Sequence, residues 1–237
     1  MRQLARLLLL STAIASATSL CEAQGTPAPD SRPGIAVFPL VNGGSYSKKK
    51  QEDLNLLSLG LQQSLINELA VNTNLRVVDR GTLRDLLREQ DLGASGRVDP
   101  QTAARLGKIV GARYIITGGF IDLYGEMQIN GRIIDVSTSE VVRSAQVQGN
   151  KKKLFGLLSQ LAGTMTAGVH LTPLPAAVRD ARIGRTVPSE AMGRYSSILA
   201  FRDEGGDPAK AVQLYRALVK DFPQVEEFKS ELKQLAK

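Results

Sequence analysis

A chain of 237 residues with one histidine, one cysteine and no tryptophan has room for one ordinary domain and something smaller, and it is too poor in ligands for a zinc site or a disulfide framework. Its formal charge is +7, from 30 Lys and Arg against 23 Asp and Glu. That balance suits anionic lipid, an anionic polymer, an acidic partner or plain solubility, while the few scattered aromatics speak against nucleic acid.

Residues 1–23 read as an export signal: Arg2 and Arg6 make a basic start, residues 7–14 an apolar core, and small residues follow. At eight residues the core is too short for a membrane helix. Small side chains at Cys21 and Ala23 put cleavage after Ala23, which removes the only thiol and, with Arg2, Arg6 and Glu22 gone, leaves a mature charge of +6. A competing reading makes Cys21 a lipidated amino terminus, but Leu20 stands where such signals want a small residue. The expected location is the periplasm, with peripheral contact to the outer membrane as an extension of that reading.

Residues 24–33, QGTPAPDSRP, form a Pro-rich leader without periodicity. Residues 34–40, GIAVFPL, predict a buried strand, and 41–50 a polar loop ending in Lys48, Lys49 and Lys50. From 51 to 70, Leu54, Leu57, Leu61, Leu65 and Leu69 recur at helical spacing, the mark of a helix lying on a sheet. A short strand over 75–78 leads to a helix over 81–90, with Asp79-Arg80 expected as the cap or ion pair that shapes the turn. After a loop with Gly93 and Gly96, Asp99 and Pro100 start a helix whose apolar face is Leu106, Ile109 and Val110, and Gly111 ends it in a left-handed turn. Residues 112–123 predict a central strand, Gly125 a turn, and 126–136 and 140–148 two more strands. Asn130-Gly131 is a competing hairpin signal inside the first of these. A helix over 152–169 closes an α/β domain of residues 34–170, and the three prolines of 171–188 read as a linker.

Residues 189–237 read as helices, with Gly205, Gly206 and Asp207 at a turn and Pro208 opening the next helix. Tyr195, Ile198, Ala211, Tyr215 and Pro223 fall where a tetratricopeptide unit places its packing residues, so this tail resembles one such repeat plus a capping helix. Leu199, Arg202 and Leu218 depart from that motif, and a single unit cannot build a concave groove. Tyr195 and Tyr215, with the basic cluster Lys151, Lys152 and Lys153, are the candidate interaction residues. Catalytic, cofactor and metal residues are expected to be absent. His170 reads as a solvated or capping group, and Gly107-Lys108 is followed by Ile109 where a phosphate-binding loop needs Ser or Thr.

The segments IAVFPL at 35–40, RVVDRGTLRDLLREQ at 76–90, VDPQTAARLGKIVGARYIITGGF at 98–120 and RIIDVSTSEVV at 132–142, in this order, resemble the curli-secretion, CsgG-like family of bacterial envelope proteins. The resemblance implies an α/β core, a mixed sheet with helices, shared in outline with the TolB amino-terminal domain and with lipoprotein activators of peptidoglycan synthases. It also implies envelope protein partners and self-association. Family channels insert long β-hairpins into the outer membrane; here the loops at 41–50 and 91–99 are about half the length of a hairpin of two strands of roughly 9 to 11 residues each, and 126–148, which is long enough, is needed in the sheet. The expectation is a non-enzymatic periplasmic accessory or scaffold in secretion or surface-structure assembly. The alternatives are an outer-membrane channel subunit and a regulator of cell-wall synthesis enzymes.

Overall fold

The computed structural model describes residues 30–90, 98–167, 169, 171 and 174–236. The export signal with Cys21, the loop with Gly93 and Gly96, and His170 lie outside the described residues. Arg32–Lys237 form one compact unit.

Six strands make one mixed sheet: β1 Gly34–Val37, β2 Val41–Asn42, β3 Arg76–Val77, β4 Tyr114–Leu123, β5 Glu126–Asp135 and β6 Val141–Asn150. Their order is β3-β1-β4-β5-β6, with β2 on β4. Pairing is parallel among β1 to β4 and antiparallel through the long β4-β5-β6 meander. Every residue of β1 is buried, which explains why its sequence is an apolar run without alternation. Asn130-Gly131 lies inside β5, where Asn130 pairs with Gly119 on one side and Gln146 on the other. Two flanking strands thus outweigh a local hairpin signal. Strand β2 and the first turn of the next helix occupy what reads as a polar loop.

The helices among the described residues are α1 Lys48–Ala70, α2 Arg80–Glu89, α3 Pro100–Ile109, α4 Leu154–Thr166, α5 Ala176–Ile183, α6 Ser189–Asp203, α7 Pro208–Asp221 and α8 Glu226–Leu235. Asp79, Asp99 and Asp207 each accept backbone N–H bonds from the first turn of α2, α3 and α7, satisfying donors that the helix itself leaves free. Gly111 takes φ +65°, as the end of α3 requires. Two expectations are corrected. Ile109 is 59% exposed, because α3 ends there and turns it away from the sheet, and the stretch read as a linker contains α5.

The sheet has two unlike faces. On one, Ile35 and Val37 of β1, Ile116 and Phe120 of β4, and Met127, Ile129 and Ile133 of β5 pack against α1 and α4, and the apolar cluster continues into Tyr195, Leu199, Tyr215 and Phe228 of α6 to α8. On the other, Ala36, Phe38, Ile115 and Ile134 meet Leu83, Leu87 and Leu106 of α2 and α3. Helix α1 is therefore sandwiched: Gln62 Nε2 bonds the Val37 carbonyl at 2.8 Å, while Gly60 and Ser64 approach Met192 and Ser196 of α6.

Candidate functional site

The most chemically dense region is the seam where the C-terminal helices meet α1, α2 and α5. Arg80, Arg84 and Arg88 recur every four residues, so they share one face of α2. Arg80, only 5% exposed, grips Asp203 with both terminal nitrogens, at 2.5 and 2.9 Å, and its Nε bonds Gln63 at 3.1 Å. Arg84 adds a bond to Asp203 at 2.7 Å, and Arg88 bonds the Asp203 carbonyl at 3.0 Å. Burial alone would raise the Asp203 carboxyl; the Arg80 and then the Arg84 guanidinium outweigh that and hold it below the usual carboxylate range. Asp79 is the cap expected at this turn, while Arg80 reaches across the fold rather than back to it.

A second cluster lies one to two turns further along α1. Glu68, 3% exposed, receives Arg182 at 2.8 and 2.9 Å, Arg185, and the Ser159 hydroxyl at 2.6 Å. Both arginines also reach Glu227 Oε1 of α8. Glu227 Oε2 is buried and receives no hydrogen bond from the protein. Burial lowers the Arg182 guanidinium and the Glu68 and Glu227 carboxylates raise it, with the charged partners prevailing. Arg182 of α5, a helix the sequence pattern missed, and Arg185 just beyond its end thus tie α1 and α4 to α8.

Tyr195 and Tyr215, expected at an interaction surface, are instead fully buried. Their rings meet edge-on, with centroids 6.3 Å apart, and both hydroxyls donate to Glu231, the Tyr215 bond being 2.6 Å. Burial, followed by the Glu231 charge, pushes both phenols well above their ordinary value, so they stay protonated as donors. They hold the tail together. Beside the seam lies a polar cleft of ≈ 760 Å³, lined by Gln63, Asn67, Arg84, Glu227, Glu231 and Gln234 among others.

Lys151, Lys152 and Lys153 lie elsewhere, in a 3₁₀ turn that leads into α4. Lys151 stands 3.6 Å from Asp122, while Lys152 and Lys153 are exposed. Lys50, in the first turn of α1, stands 3.7 Å from the same Asp122 oxygen. The fold therefore brings together two basic clusters separated by a hundred residues of sequence. Burial alone would raise Asp122; the Gly125 N–H and the Lys151 and Lys50 ammoniums outweigh it, and its carboxyl sits below the usual range.

The chemistry of the seam is that of a clamp. Arg80, Arg84, Arg182 and Arg185 are each engaged by a carboxylate, and Arg88 by a backbone carbonyl. Among the described residues, no cluster of His, Cys, Asp and Glu is placed to hold a metal ion, and no helix is long and apolar enough to cross a membrane. The spacing of Arg80, Arg84 and Arg88 was a legible signal for a charged helix face; the identity of its partner was not.

Residues 16–127 match the family model described as curli production assembly/transport component CsgG. That span takes in most of the segments on which the resemblance was read. No curated protein matches the chain. Similar solved structures include the LpoB C-terminal domain from Salmonella enterica, 18% identical, covering 50% of this chain and 83% of that one with a TM-score of 0.39. Lipoprotein GNA1162 from Neisseria meningitidis is 13% identical, with 49% and 79% covered and a TM-score of 0.40. A PelC dodecamer from Paraburkholderia phytofirmans is 14% identical, with 60% and 90% covered and a TM-score of 0.34.

Proposed function

We propose that this chain, CsgG-like in its α/β core, is a non-enzymatic accessory or scaffold protein of the bacterial envelope that serves secretion or assembly of surface structures. The family match over residues 16–127 is the observation that carries the reading. The seam supports it: its charged groups fasten helices to one another, at Asp203, Glu68 and Glu231. What remains open is a polar cleft with amide and carboxylate acceptors, which suits a polar protein surface better than a small apolar ligand. Envelope proteins, a second copy of the chain included, are the partners this reading expects.

The description of the matching family includes transport, which keeps an outer-membrane channel as the second reading. Against it, the long hairpin strands among the described residues, β4, β5 and β6, are paired within the sheet, and α4 covers one face of β5 and β6. Fractionation of expressing cells, sizing in mild detergent and planar-bilayer recording separate the two. The scaffold reading expects the protein in the envelope fraction, and silent bilayers. Unitary conductance steps from the purified protein would replace it with the channel.

A further inference from the structure

The end of the molecule opposite the seam carries a surface built for a different contact. Helix α1 runs about 35 Å, with Lys48, Lys49 and Lys50 in its first turn and the clamp residues toward its far end. That first turn has no acidic residue, and Ser47 makes no side-chain cap bond. Cations at a helix N-terminus oppose the helix dipole, so three lysines there weaken the helix they begin. The same arrangement recurs at Lys151, Lys152 and Lys153, which precede α4 with no acid in its first turn.

Between the two clusters projects the β4–β5 turn. Tyr124 is fully exposed and Leu123 46% exposed, although most aromatic and aliphatic side chains of this chain are buried. Tyr124 sits at φ 56° and Gly125 at φ 97°, and the Gly125 carbonyl receives the Lys151 N–H at 2.8 Å, so the tip is fixed against the lysine turn. Lys50 Nζ lies 4.6 Å from the Tyr46 ring centroid and 6.0 Å from that of Tyr124. The nearby acids are Asp122, already shared by Lys50 and Lys151, Glu126, bonded by Asn150, Glu52 and Asp53 in the next turn of α1, and Glu190 at the start of α6, which stands 3.8 Å from Arg194. Lys48, Lys49, Lys152 and Lys153 remain exposed around the tip.

We propose that this end is a membrane-docking surface: Leu123 and Tyr124 enter the headgroup region of an anionic bilayer while Lys48, Lys49, Lys152 and Lys153 meet lipid phosphates. An amphipathic ring with a wet hydroxyl suits the interface, and lysine stems extend along apolar surface while their ammoniums stay with the phosphates. Several lysines at one surface add their attraction, and salt screens it. The surface gives an envelope scaffold an orientation, with the clamped helices held away from the lipid. The inference concerns binding alone and stands or falls separately from the scaffold reading.

Flotation of the purified protein with phosphatidylcholine vesicles, with and without phosphatidylglycerol, tests it. Binding is expected only with the anionic lipid and is expected to fall at high salt. Lys48→Gln/Lys49→Gln/Lys152→Gln/Lys153→Gln should lose on the order of tenfold or more in partitioning, with a melt no lower than wild type, because Lys50 and Lys151 still neutralise Asp122 and the helix dipoles are relieved of opposing charge. Tyr124→Ser should lose several-fold. The charge-matched control Lys108→Gln/Lys210→Gln/Lys220→Gln/Lys233→Gln should bind as wild type. Equal loss in the control would reduce the effect to net charge, and equal binding to neutral vesicles would remove the lysines' role. Displacement by inorganic phosphate beyond that caused by chloride of the same ionic strength would indicate a single-anion pocket; unchanged binding by Tyr124→Ser would remove the tip. Any of these overturns the proposal.

Discussion

The two faces of the sheet solve the same problem with different amounts of material. The face toward α2 and α3 is closed by one thin layer of two ten-residue helices, whose apolar stripes could be read directly from spacing. The face toward α1 and α4 is closed by two layers, because α6 packs on the outside of α1 and carries α7 and α8 with it. A helix covered on both sides cannot show a clean stripe. Helix α1 accordingly buries Gly60, Gln62, Ser64 and Glu68 along with its leucines. The lesson is that polar and small residues inside a helix pattern point to a second contact surface, and the ion pairs fasten that second layer.

The comparison is broken most severely by removing the outer layer. Deleting residues 189–237 uncovers the Gly60 and Ser64 side of α1, takes away Glu227 and leaves Arg80 without Asp203. Loss of the cooperative thermal transition is expected, with dye binding to exposed apolar surface. A cooperative melt from the remaining residues would show instead that the thin-layered part is a domain of its own.

Glu68→Gln strikes the fastening without changing shape. It leaves Arg182 and Arg185 with Glu227 alone, and breaking a buried pair in this way costs on the order of 3 kcal/mol, the low end because both arginines keep about a fifth of their side-chain surface in water. Urea unfolding reads it, and a midpoint equal to wild type would mean that the seam is held by apolar packing alone.

Glycine substitutions sharpen the contrast between faces. A Cβ at Gly60 would collide with Ser196 Oγ and Met192 Sδ across the α1–α6 contact, and one at Gly107 with Val136 and Ile115 beneath α3. Each Gly→Ala change should cost about 1–3 kcal/mol. Gly193, on α6 with nothing near its Cβ position, should gain up to about 1 kcal/mol as Ala from helix propensity. Chemical denaturation of the three variants ranks them, and a stabilising Gly60→Ala would contradict the close α1–α6 approach.

The smallest effect is in the acid limb of stability. Asp203 is held below its unfolded value, near 3.9, so its contribution is present above that pH and is lost as pH falls through the depressed folded value. Asp203→Asn should flatten the decline in melting temperature below about pH 4. An identical acid slope in the variant would assign the decline to other carboxylates.

Much of the sheet and of its thin-layered side was legible because the signals are local. Asp99 before Pro100, Gly111 at the helix end and the alternation of Met127, Ile129 and Ile133 each act within a few residues, and the structure uses each as read. Local signals also compete. Asn130-Gly131 has the chemistry of a tight turn, yet the single strand expected over 126–136 holds, because strands on both sides keep it extended. Residues 176–183 carry charges where a stripe would be sought, because α5 has no fully buried residue and binds through Arg182 instead.

By itself, then, the sequence determined the elements of the α/β core apart from β2, their order, the capped ends of α2, α3 and α7 and the resemblance that the family match sustains. Only the tertiary structure decided where the charges and the tyrosines go. Arg80 meets Asp203 across 123 positions, Arg182 meets Glu68 across 114, and two lysine runs converge on Asp122. Tyr195 and Tyr215 turn inward to Glu231 for the same reason. Hydrophobic periodicity records which side of an element is buried, whereas an ion pair or a phenol–carboxylate bond depends on which distant element packs there, and no local spacing encodes that.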